Sequence, residues 1–180
     1  ILKLKKTSLV SSYVTNNKKT VAIRFPKHKI LKSILKNINF PLAIPSGNKS
    51  SSISPVSAED VVDEFKKKIK IVLDGGNSKI GIESTVIDLS HKIRILRPGA
   101  ITPKQISKVL KRKITIDKKI KSIKAPGGLR KHYSPGIPMK LNKKKASKKT
   151  AFIVLGNKFT DKKNFFNLSK KSSLTEAATN

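Results

Sequence analysis

The sequence predicts an α/β fold, because strand-like and helix-like patterns alternate along the chain up to about residue 120. In residues 20–25, TVAIRF, apolar side chains occupy every second position, which is typical of a half-buried strand. In residues 28–39, apolar side chains recur three and four positions apart, which predicts a helix. Capping patterns at Ser57 and Thr102 predict the starts of two more helices.

The remaining strands are predicted from short apolar runs that end at turn residues. Residues 42–44 and 71–73 are two such runs, and the second is followed by the turn sequence Asp-Gly-Gly-Asn at residues 74–77. Residues 85–89 and 93–97 predict two further strands joined by a short turn.

The last third of the chain has a different composition. Residues 125–138, APGGLRKHYSPGIP, lack periodicity and are rich in Gly and Pro, which indicates a structured linker. A Lys-rich connector follows, and a new apolar strand begins at Ala151. We therefore expect a first domain at residues 1–120, a lid and connector at 121–150, and the start of a truncated second α/β domain at 151–180. The chain opens inside an alternating pattern and stops at the start of a helix, so we expect it to be cut short at both ends.

The charge of the chain is strongly positive. Its net charge of +31 arises from 41 Lys and Arg residues against 10 Asp and Glu residues, and it predicts nonspecific binding to polyanions at low salt. Few of the basic residues are Arg, although surfaces that read phosphate usually use the guanidinium fork. An AT-rich coding sequence, which favours Lys, Ile and Asn, accounts for the charge equally well. Specific nucleic-acid recognition therefore stays open as an alternative.

Composition also excludes several classes of protein. Cys is absent, which excludes disulfides and thiol chemistry, and the three His residues are dispersed, so no metal site is expected. Apolar runs reach only about five residues, far short of the ~20 that span a bilayer. We expect a cytoplasmic protein without a membrane segment.

Four clusters of polar residues are candidates for chemistry. The first is the Ser-rich loop IPSGNKSSSISP of residues 44–55, which lies between a predicted strand and a helix, where hydroxyls and amides can receive phosphate. An ordinary surface loop is the alternative. The second is residues 83–85, Glu-Ser-Thr, at the start of a strand. The third is Arg97, which comes directly before Pro98-Gly99, a pair that ends the predicted strand. The fourth is the linker with Tyr133, which can fold over a ligand as a lid.

No Ser-His-Asp trio or pair of catalytic carboxylates is evident in the sequence, so we predict no catalytic nucleophile. An enzyme of this kind would work by positioning its substrates and by electrostatic stabilisation.

Taken in order, these segments resemble one known family. TVAIRFPKH, PSGNKSSSISP, LDGGNSKIGIESTVIDLS, ILRPGAIT and APGGLRKHYSP are similar to the threonylcarbamoyl-AMP synthases of the YrdC type. The linker and the strand at Ala151 resemble the long, two-domain form. The resemblance implies a YrdC-like twisted mixed sheet with flanking helices, then a linker and the start of a small Rossmann-like α/β domain. Residues 1–120 would then be the C-terminal two thirds of the catalytic domain.

The resemblance also implies an activity. Such enzymes are nucleotidyltransferases that combine L-threonine, bicarbonate and ATP, with Mg²⁺, into threonylcarbamoyl-AMP and pyrophosphate. The product supplies the tRNA-modifying machinery that makes N6-threonylcarbamoyladenosine at position 37 of tRNA. The implied ATP contacts are Thr20, Ser46, Asn48, Ser54, Arg97 and Tyr133. The implied L-threonine contacts are Arg24, Ile44 and Ser84.

Some positions depart from the family pattern. Gly47 stands where Ala is more usual, Ser51 where Gly is usual and Val56 where Thr is usual. The amino-terminal third of the family's catalytic domain, with its Lys/Arg motif for the triphosphate, has no counterpart in this sequence. We therefore expect residues 1–180 alone to be inactive. The alternative function is a non-catalytic, basic module of the same fold that binds double-stranded RNA or tRNA weakly.

Overall fold

The computed structural model describes residues 1–116, 136–145, 147, 149–159 and 163–179. The elements in chain order are β1 (Leu2–Lys5), α1 (Ser12–Thr15), β2 (Thr20–Ile23), α2 (Lys29–Lys36), α3 (Ala58–Phe65), one 3-10 turn (Lys66–Lys68), β3 (Val86–Asp88), β4 (Arg94–Arg97), α4 (Pro103–Leu110), β5 (Phe152–Val154), β6 (Phe165–Asn167) and α5 (Leu174–Ala177). The predicted α/β class is confirmed.

The first four strands form one mixed sheet in the order β2-β1-β3-β4. β1 runs antiparallel to β2, with Leu2 opposite Ile23, and parallel to β3, with Leu2 opposite Ile87. β4 returns antiparallel to β3, with Arg97 opposite Val86. The end of β2, the starts of β1 and β3 and the end of β4 therefore lie along the same edge of the sheet.

A small apolar core fixes the middle of this sheet. Ile95 of β4 is fully buried and packs with Ile106 of α4 and with Ile114, while Ile87 and Ile93 cover the cluster from the side. Burial of an Ile side chain stabilises a fold by roughly 1.5–3 kcal/mol. The cluster thus holds α4 against β4, and it keeps the end of β4 in a defined position.

Both predicted helix caps at the ends of long loops are present. At α3, the Ser57 hydroxyl accepts from the Asp60 amide, and the Asp60 carboxylate accepts from the Ser57 amide. At α4, Thr102 and Gln105 make the same reciprocal pair, with Pro103 at the first helical position. The local sequence therefore determined where these two helices begin.

Two predicted strands are wrong. Residues 42–44 and 71–73 are not strands in the structure. Leu42 and Ile44 are exposed, as are Ile71 and Leu73. A short apolar run becomes a strand only when a neighbouring strand pairs with it, and neither run has such a partner among the described residues. The other elements start or end one to three residues inside the predicted limits, as helices and strands commonly fray.

A second, two-stranded sheet follows later in the chain, where β5 and β6 pair in parallel. The ring of Phe152 packs edge-on against Phe165, with ring centres 5.1 Å apart. The start of a strand predicted near Ala151 is therefore present. Among the described residues, no helix combines the length and the apolar character that crossing a bilayer requires.

Candidate functional site

The topology of the first sheet brings three polar segments to one edge. Arg24 directly follows β2, Glu83 and Ser84 precede β3, and Arg97 is the last residue of β4. Because these strand ends are neighbours in the sheet, residues far apart in sequence come together. The Ser-rich loop and the loop of residues 78–84 then close the space beside this edge.

A cavity of about 850 Å³ lies at this edge. Its volume is in the range of pockets that hold a small-molecule ligand. Polar groups that the sequence predicted as site residues line it: Arg24, Ser46, Ser54, Ser84 and Arg97. Apolar side chains such as Ile53, Val56, Ile80 and Ile82 line it as well. The cavity therefore combines positive charge and hydroxyl groups with an apolar wall.

Three other predicted site residues lie outside the lining of this cavity. Thr20 opens β2 and pairs with Lys5, so four residues, or roughly 13 Å of extended chain, separate it from Arg24. Ile44 precedes the lining residue Pro45 and is exposed. Asn48 lies in the Ser-rich loop, where its side chain donates to backbone carbonyl oxygens of the loop itself. Tyr133 falls outside the described residues.

Asn48 has a structural part in the Ser-rich loop. Its Nδ2 donates to the carbonyl oxygens of Lys49 at 2.7 Å and Ser52 at 3.1 Å. The Lys49 amide in turn donates to Glu64 Oε1 of α3 at 2.9 Å. These bonds fold the loop onto itself and tie it to α3, and Ser46 and Ser54 of the same loop line the cavity.

Glu83 joins the loop to the sheet, a contact that the sequence did not reveal. The Ser54 hydroxyl donates to Glu83 Oε1 at 2.7 Å, and Glu83 Oε2 lies 3.4 Å from Nη2 of Arg97. Arg97 also donates from Nε to the Ser84 carbonyl oxygen at 3.0 Å. The carboxylate thus contacts two of the predicted ATP-binding residues at once.

Gly99 lets two strands approach closely beneath the site. A Cβ atom at this position would overlap the Glu83 carbonyl oxygen and the Thr85 amide nitrogen, which are backbone atoms that cannot turn aside. The glycine two residues after the end of β4 therefore has a steric reason, since only glycine allows the chain to pass the segment before β3 here.

The segment of residues 78–82 also lines the cavity, and none of its residues was among the predicted site residues. The Ser78 amide donates to the Val56 carbonyl oxygen at 2.7 Å, which ties the segment to the Ser-rich loop. The Gly81 amide donates to the Ala178 carbonyl oxygen at 2.7 Å, which ties it to the chain just after α5. These contacts join segments distant in sequence, so no local pattern predicts them.

Positive charge dominates the electrostatics of this edge. The Arg24 side chain is exposed, whereas only 11% of the Arg97 side chain is accessible. Within the part of the chain that the structure describes, no three His, Asp or Glu side chains cluster to hold a metal ion. The site is therefore suited to an anionic ligand.

Comparison with family models gives two matches along the chain. The model of the Sua5/YciO/YrdC family, described as "Telomere recombination", matches residues 1–99. The model described as "Threonylcarbamoyl-AMP synthase, C-terminal domain" matches residues 101–180.

Curated proteins and solved structures give the same picture. The chain is 38% identical over 139 residues to the threonylcarbamoyl-AMP synthase of Pyrococcus abyssi, a match that covers 74% of this chain and 41% of that protein. It is 37% identical to the Bacillus subtilis threonylcarbamoyl-AMP synthase over 74% of this chain and 40% of the relative. The crystal structure of P. abyssi Sua5 complexed with L-threonine superimposes with a TM-score of 0.75 and 28% identity, over 99% of this chain and 58% of that one. The matched region thus spans about two fifths of the length of these curated relatives.

Proposed function

Since this chain belongs to the Sua5/YrdC family of threonylcarbamoyl-AMP synthases, we propose that its cavity binds L-threonine and ATP for the synthesis of threonylcarbamoyl-AMP. The observation that carries the proposal is that Arg24, Ser46, Ser54, Ser84 and Arg97 line one cavity. The relative whose crystal structure superimposes on this chain was crystallised with L-threonine. In the cell, the product would supply the machinery that makes N6-threonylcarbamoyladenosine in tRNA, and a cytoplasmic location belongs to the same proposal.

In this proposal Arg24 binds the carboxylate of L-threonine. A guanidinium presents parallel N–H donors that match the two oxygens of a carboxylate. Arg24 lines the cavity at the end of β2, and Ser84 lines it at the start of β3, two strands away in the sheet. Ser84 is the proposed second contact with the amino acid.

ATP is the proposed second ligand, with its phosphates toward Arg97. Arg97 is largely buried and held by the Ser84 carbonyl group, so little side-chain entropy remains to be lost when an anion binds. Ser46 and Ser54 also line the cavity, and both are proposed contacts with the nucleotide. Four further residues stay proposed contacts. Three of them would act through backbone groups: Thr20, Ile44 and Asn48. The fourth is Tyr133, which lies outside the described residues.

The proposed reaction needs two anions to be held together. The amine of L-threonine and bicarbonate give a carbamate and water, and a carbamate oxygen attacks the α-phosphorus of ATP. The new O–P bond forms while the bond from the α-phosphorus to the oxygen bridging to the β-phosphorus breaks, and pyrophosphate leaves with that oxygen. Among the described residues lining the cavity there is no His beside a Ser, so positioning and charge stabilisation are the work of this chain.

Magnesium would enter as the complex with ATP. Glu83 is the one Asp or Glu among the described lining residues, and it already contacts Ser54 and Arg97. Mg²⁺ prefers several oxygen ligands and usually takes most of them from phosphates and water. The cavity therefore offers no carboxylate cage, and the triphosphate would carry the ion and shield its own charge.

The proposed domain division is residues 1–120, 121–150 and 151–180. Its support is that the four-stranded sheet lies wholly before residue 120 and the two-stranded sheet wholly after residue 150. We also propose that residues 1–180 by themselves bind ligands without turning over, since they match only about two fifths of each curated relative.

Calorimetric titration of the 180-residue chain with L-threonine and with Mg·ATP tests the proposal. Replacing Arg24 by Ala is expected to weaken L-threonine binding by roughly 10- to 100-fold, the worth of a charged hydrogen-bonded pair. Arg112→Ala, which removes the same charge from an exposed position after α4, is the control and should leave the affinity unchanged. Pyrophosphate release that needs both L-threonine and bicarbonate is expected from the same reading frame extended upstream. Absence of binding to the chain and of release by the folded longer protein would overturn the proposal.

One observation favours a second candidate function. The net charge of +31 suits a non-catalytic module that binds double-stranded RNA or tRNA through its phosphates. In that case Arg24→Ala would not change L-threonine or ATP binding, because neither would bind.

A further inference from the structure

We propose that Glu83 is a positioning residue, which holds Arg97 and sets the direction of the Ser54 hydroxyl so that the cavity is shaped for ATP before the nucleotide arrives. The inference deepens the proposed function and rests on it. Glu83 lies at the meeting point of the Ser-rich loop, β3 and β4, and its carboxylate contacts a group from the loop and a group from β4.

The first consequence concerns Arg97. Its Nε–H is directed to the Ser84 carbonyl oxygen at 3.0 Å, and its Nη2 faces Glu83 Oε2 at 3.4 Å. A hydrogen bond at Nε and an ion pair at Nη2 restrain this planar group at two points, and so restrict both its place and the orientation of its plane. A guanidinium held in this way meets a phosphate in one geometry, whereas an unheld arginine would first have to lose its rotamer freedom.

The second consequence concerns Ser54. A hydroxyl has one proton, and Ser54 uses it to donate a hydrogen bond to Glu83 Oε1, with the two oxygens 2.7 Å apart. The lone pairs of Ser54 Oγ are then what the hydroxyl offers to a ligand. Ser54 therefore suits a donor of the ligand, such as a sugar hydroxyl or an amino group, and not a bare phosphate oxygen.

The negative charge of Glu83 would also repel the phosphates of ATP, so two opposite effects of neutralising it can be compared. If Glu83 were only a nearby charge, its neutralisation would strengthen ATP binding. If it positions Arg97 and Ser54, neutralisation weakens ATP binding although the repulsion is relieved. The two explanations differ in the sign of the change.

Glu83→Gln is the variant that separates them, since it keeps the size and removes the charge. With Arg97 nearby, the amide oxygen should face the guanidinium and the amide nitrogen should face Ser54, which reverses the hydrogen bond to the hydroxyl. We expect Mg·ATP affinity to fall by about tenfold and L-threonine affinity to change by less than about threefold, as measured by calorimetry. Glu59→Gln, an equal loss of charge at an exposed position of α3, is the matched control and should leave both affinities unchanged.

A second readout needs no ligand and keeps this inference separate from the proposed function. With only five Arg residues in the chain, the Nε–H proton of Arg97 can be assigned by NMR through its loss in Arg97→Lys. In the unaltered chain this proton should exchange slowly with water, and in Glu83→Gln at least about tenfold faster, because the guanidinium loses its ion pair and the Nε–H bond to the Ser84 carbonyl oxygen then opens more often. Glu59→Gln should match the unaltered chain.

The outcomes are distinct. Unchanged or tighter Mg·ATP binding in Glu83→Gln would overturn the positioning role, as would unchanged exchange of the Arg97 proton. If the unaltered chain binds neither L-threonine nor Mg·ATP, the proposed function fails, and the exchange experiment alone then decides whether Glu83 holds Arg97. Thermal melting of each variant shows that the compared proteins are equally folded.

Discussion

Ser51 adopts a backbone conformation that favours glycine. Its φ angle is 73°, in the left-handed region, within the loop that lines the cavity. A side chain in this region costs roughly 1–2 kcal/mol, because Cβ comes too close to the following carbonyl oxygen. This loop therefore contains local strain.

Replacing Ser51 by Gly is therefore expected to stabilise the chain by about 1 kcal/mol, less the entropy that glycine adds to the unfolded state. The free energy of unfolding from urea titration measures the change. Ser52→Gly is the control, since Ser52 has no positive φ, and it should destabilise slightly. A loss of stability in Ser51→Gly would contradict the strain.

Asp88 makes the stability of the sheet depend on pH. This carboxylate of β3 is fully buried, 2.9 Å from Lys3 Nζ and 3.6 Å from Arg94 Nη2. Burial by itself would raise its pKa, but hydrogen bonds from Ser90 and Lys3 outweigh burial and lower the pKa from 3.8 to about 2. The folded protein therefore binds the proton less readily than the unfolded chain does.

A lowered pKa contributes stability above the unfolded value and loses it as pH falls through the folded value. For Asp88 the contribution is about 2 kcal/mol at neutral pH, and it should disappear between about pH 4 and pH 2. Urea unfolding across this range should show a shallower pH dependence in Asp88→Asn, which should also be less stable at pH 7. Asp63→Asn, at an exposed position of α3, should keep the original dependence. An Asp88→Asn profile parallel to that of the unaltered chain would refute the assignment.

At the scale of elements, the cap of α4 determines how firmly β4 is held. The Thr102 hydroxyl accepts from the Gln105 amide at 3.3 Å, and Gln105 Oε1 accepts from the Thr102 amide at 2.8 Å. α4 carries Ile106 into the core against Ile95 of β4. Loss of the cap should therefore affect the site edge of the sheet as well as the helix.

Thr102→Ala should lower the free energy of unfolding by about 1 kcal/mol, the usual worth of a side-chain cap. Thr102→Ser keeps a hydroxyl that can accept the same bond, so its stability should stay close to that of the original chain. Circular dichroism during urea unfolding measures both. Equal losses in the two variants would mean that the methyl group, and not the cap, matters.

The elements differ in how well the sequence predicts them, for a physical reason. α3 and α4 were predicted correctly because their signals are local: a capping pair three residues apart and apolar residues on one face. Residues 42–44 and 71–73 have strand-like composition, yet a strand needs a partner, and partner choice is decided by the rest of the chain. Single-segment patterns do not contain that information.

At the scale of the molecule, the charge predicts strong dependence on salt. With a net charge of +31, the chain should bind double-stranded RNA of arbitrary sequence at low salt. If it contacts six or more phosphates, the affinity should fall by about 10³ or more between 50 and 200 mM salt.

Fluorescence anisotropy with a labelled RNA duplex measures this, and a duplex of different sequence is the control. Arg24→Ala should bind both duplexes as the original chain does, because one cavity residue adds little to so large a charge. Affinity that persists at 200 mM salt and depends on RNA sequence would instead favour the RNA-binding function.

The candidate site was predicted in part. Arg24, Ser84 and Arg97 were identified from motif segments, and the sheet topology brings them to one edge. The link from Glu83 to Ser54 spans 29 positions and depends on how the Ser-rich loop folds over the sheet. The contact of Gly81 with Ala178 likewise joins the middle of the chain to its C-terminal part. Such long-range contacts arise from the tertiary fold, so they need the structure.

The parallel pairing of β1 with β3 also determines when this protein can fold during its synthesis. Lys3 and its partner Asp88 are 85 positions apart, and a ribosome takes roughly 4–17 s to add that many residues. Among the strands that the structure describes, β1 then has only β2 to pair with, and two paired strands alone are marginally stable in water. The apolar side chains of β1 are thus open to chaperones, or to other nascent chains, until β3 and β4 have been made. Slower growth at low temperature should raise the soluble yield, since it reduces the concentration of chains waiting in this state.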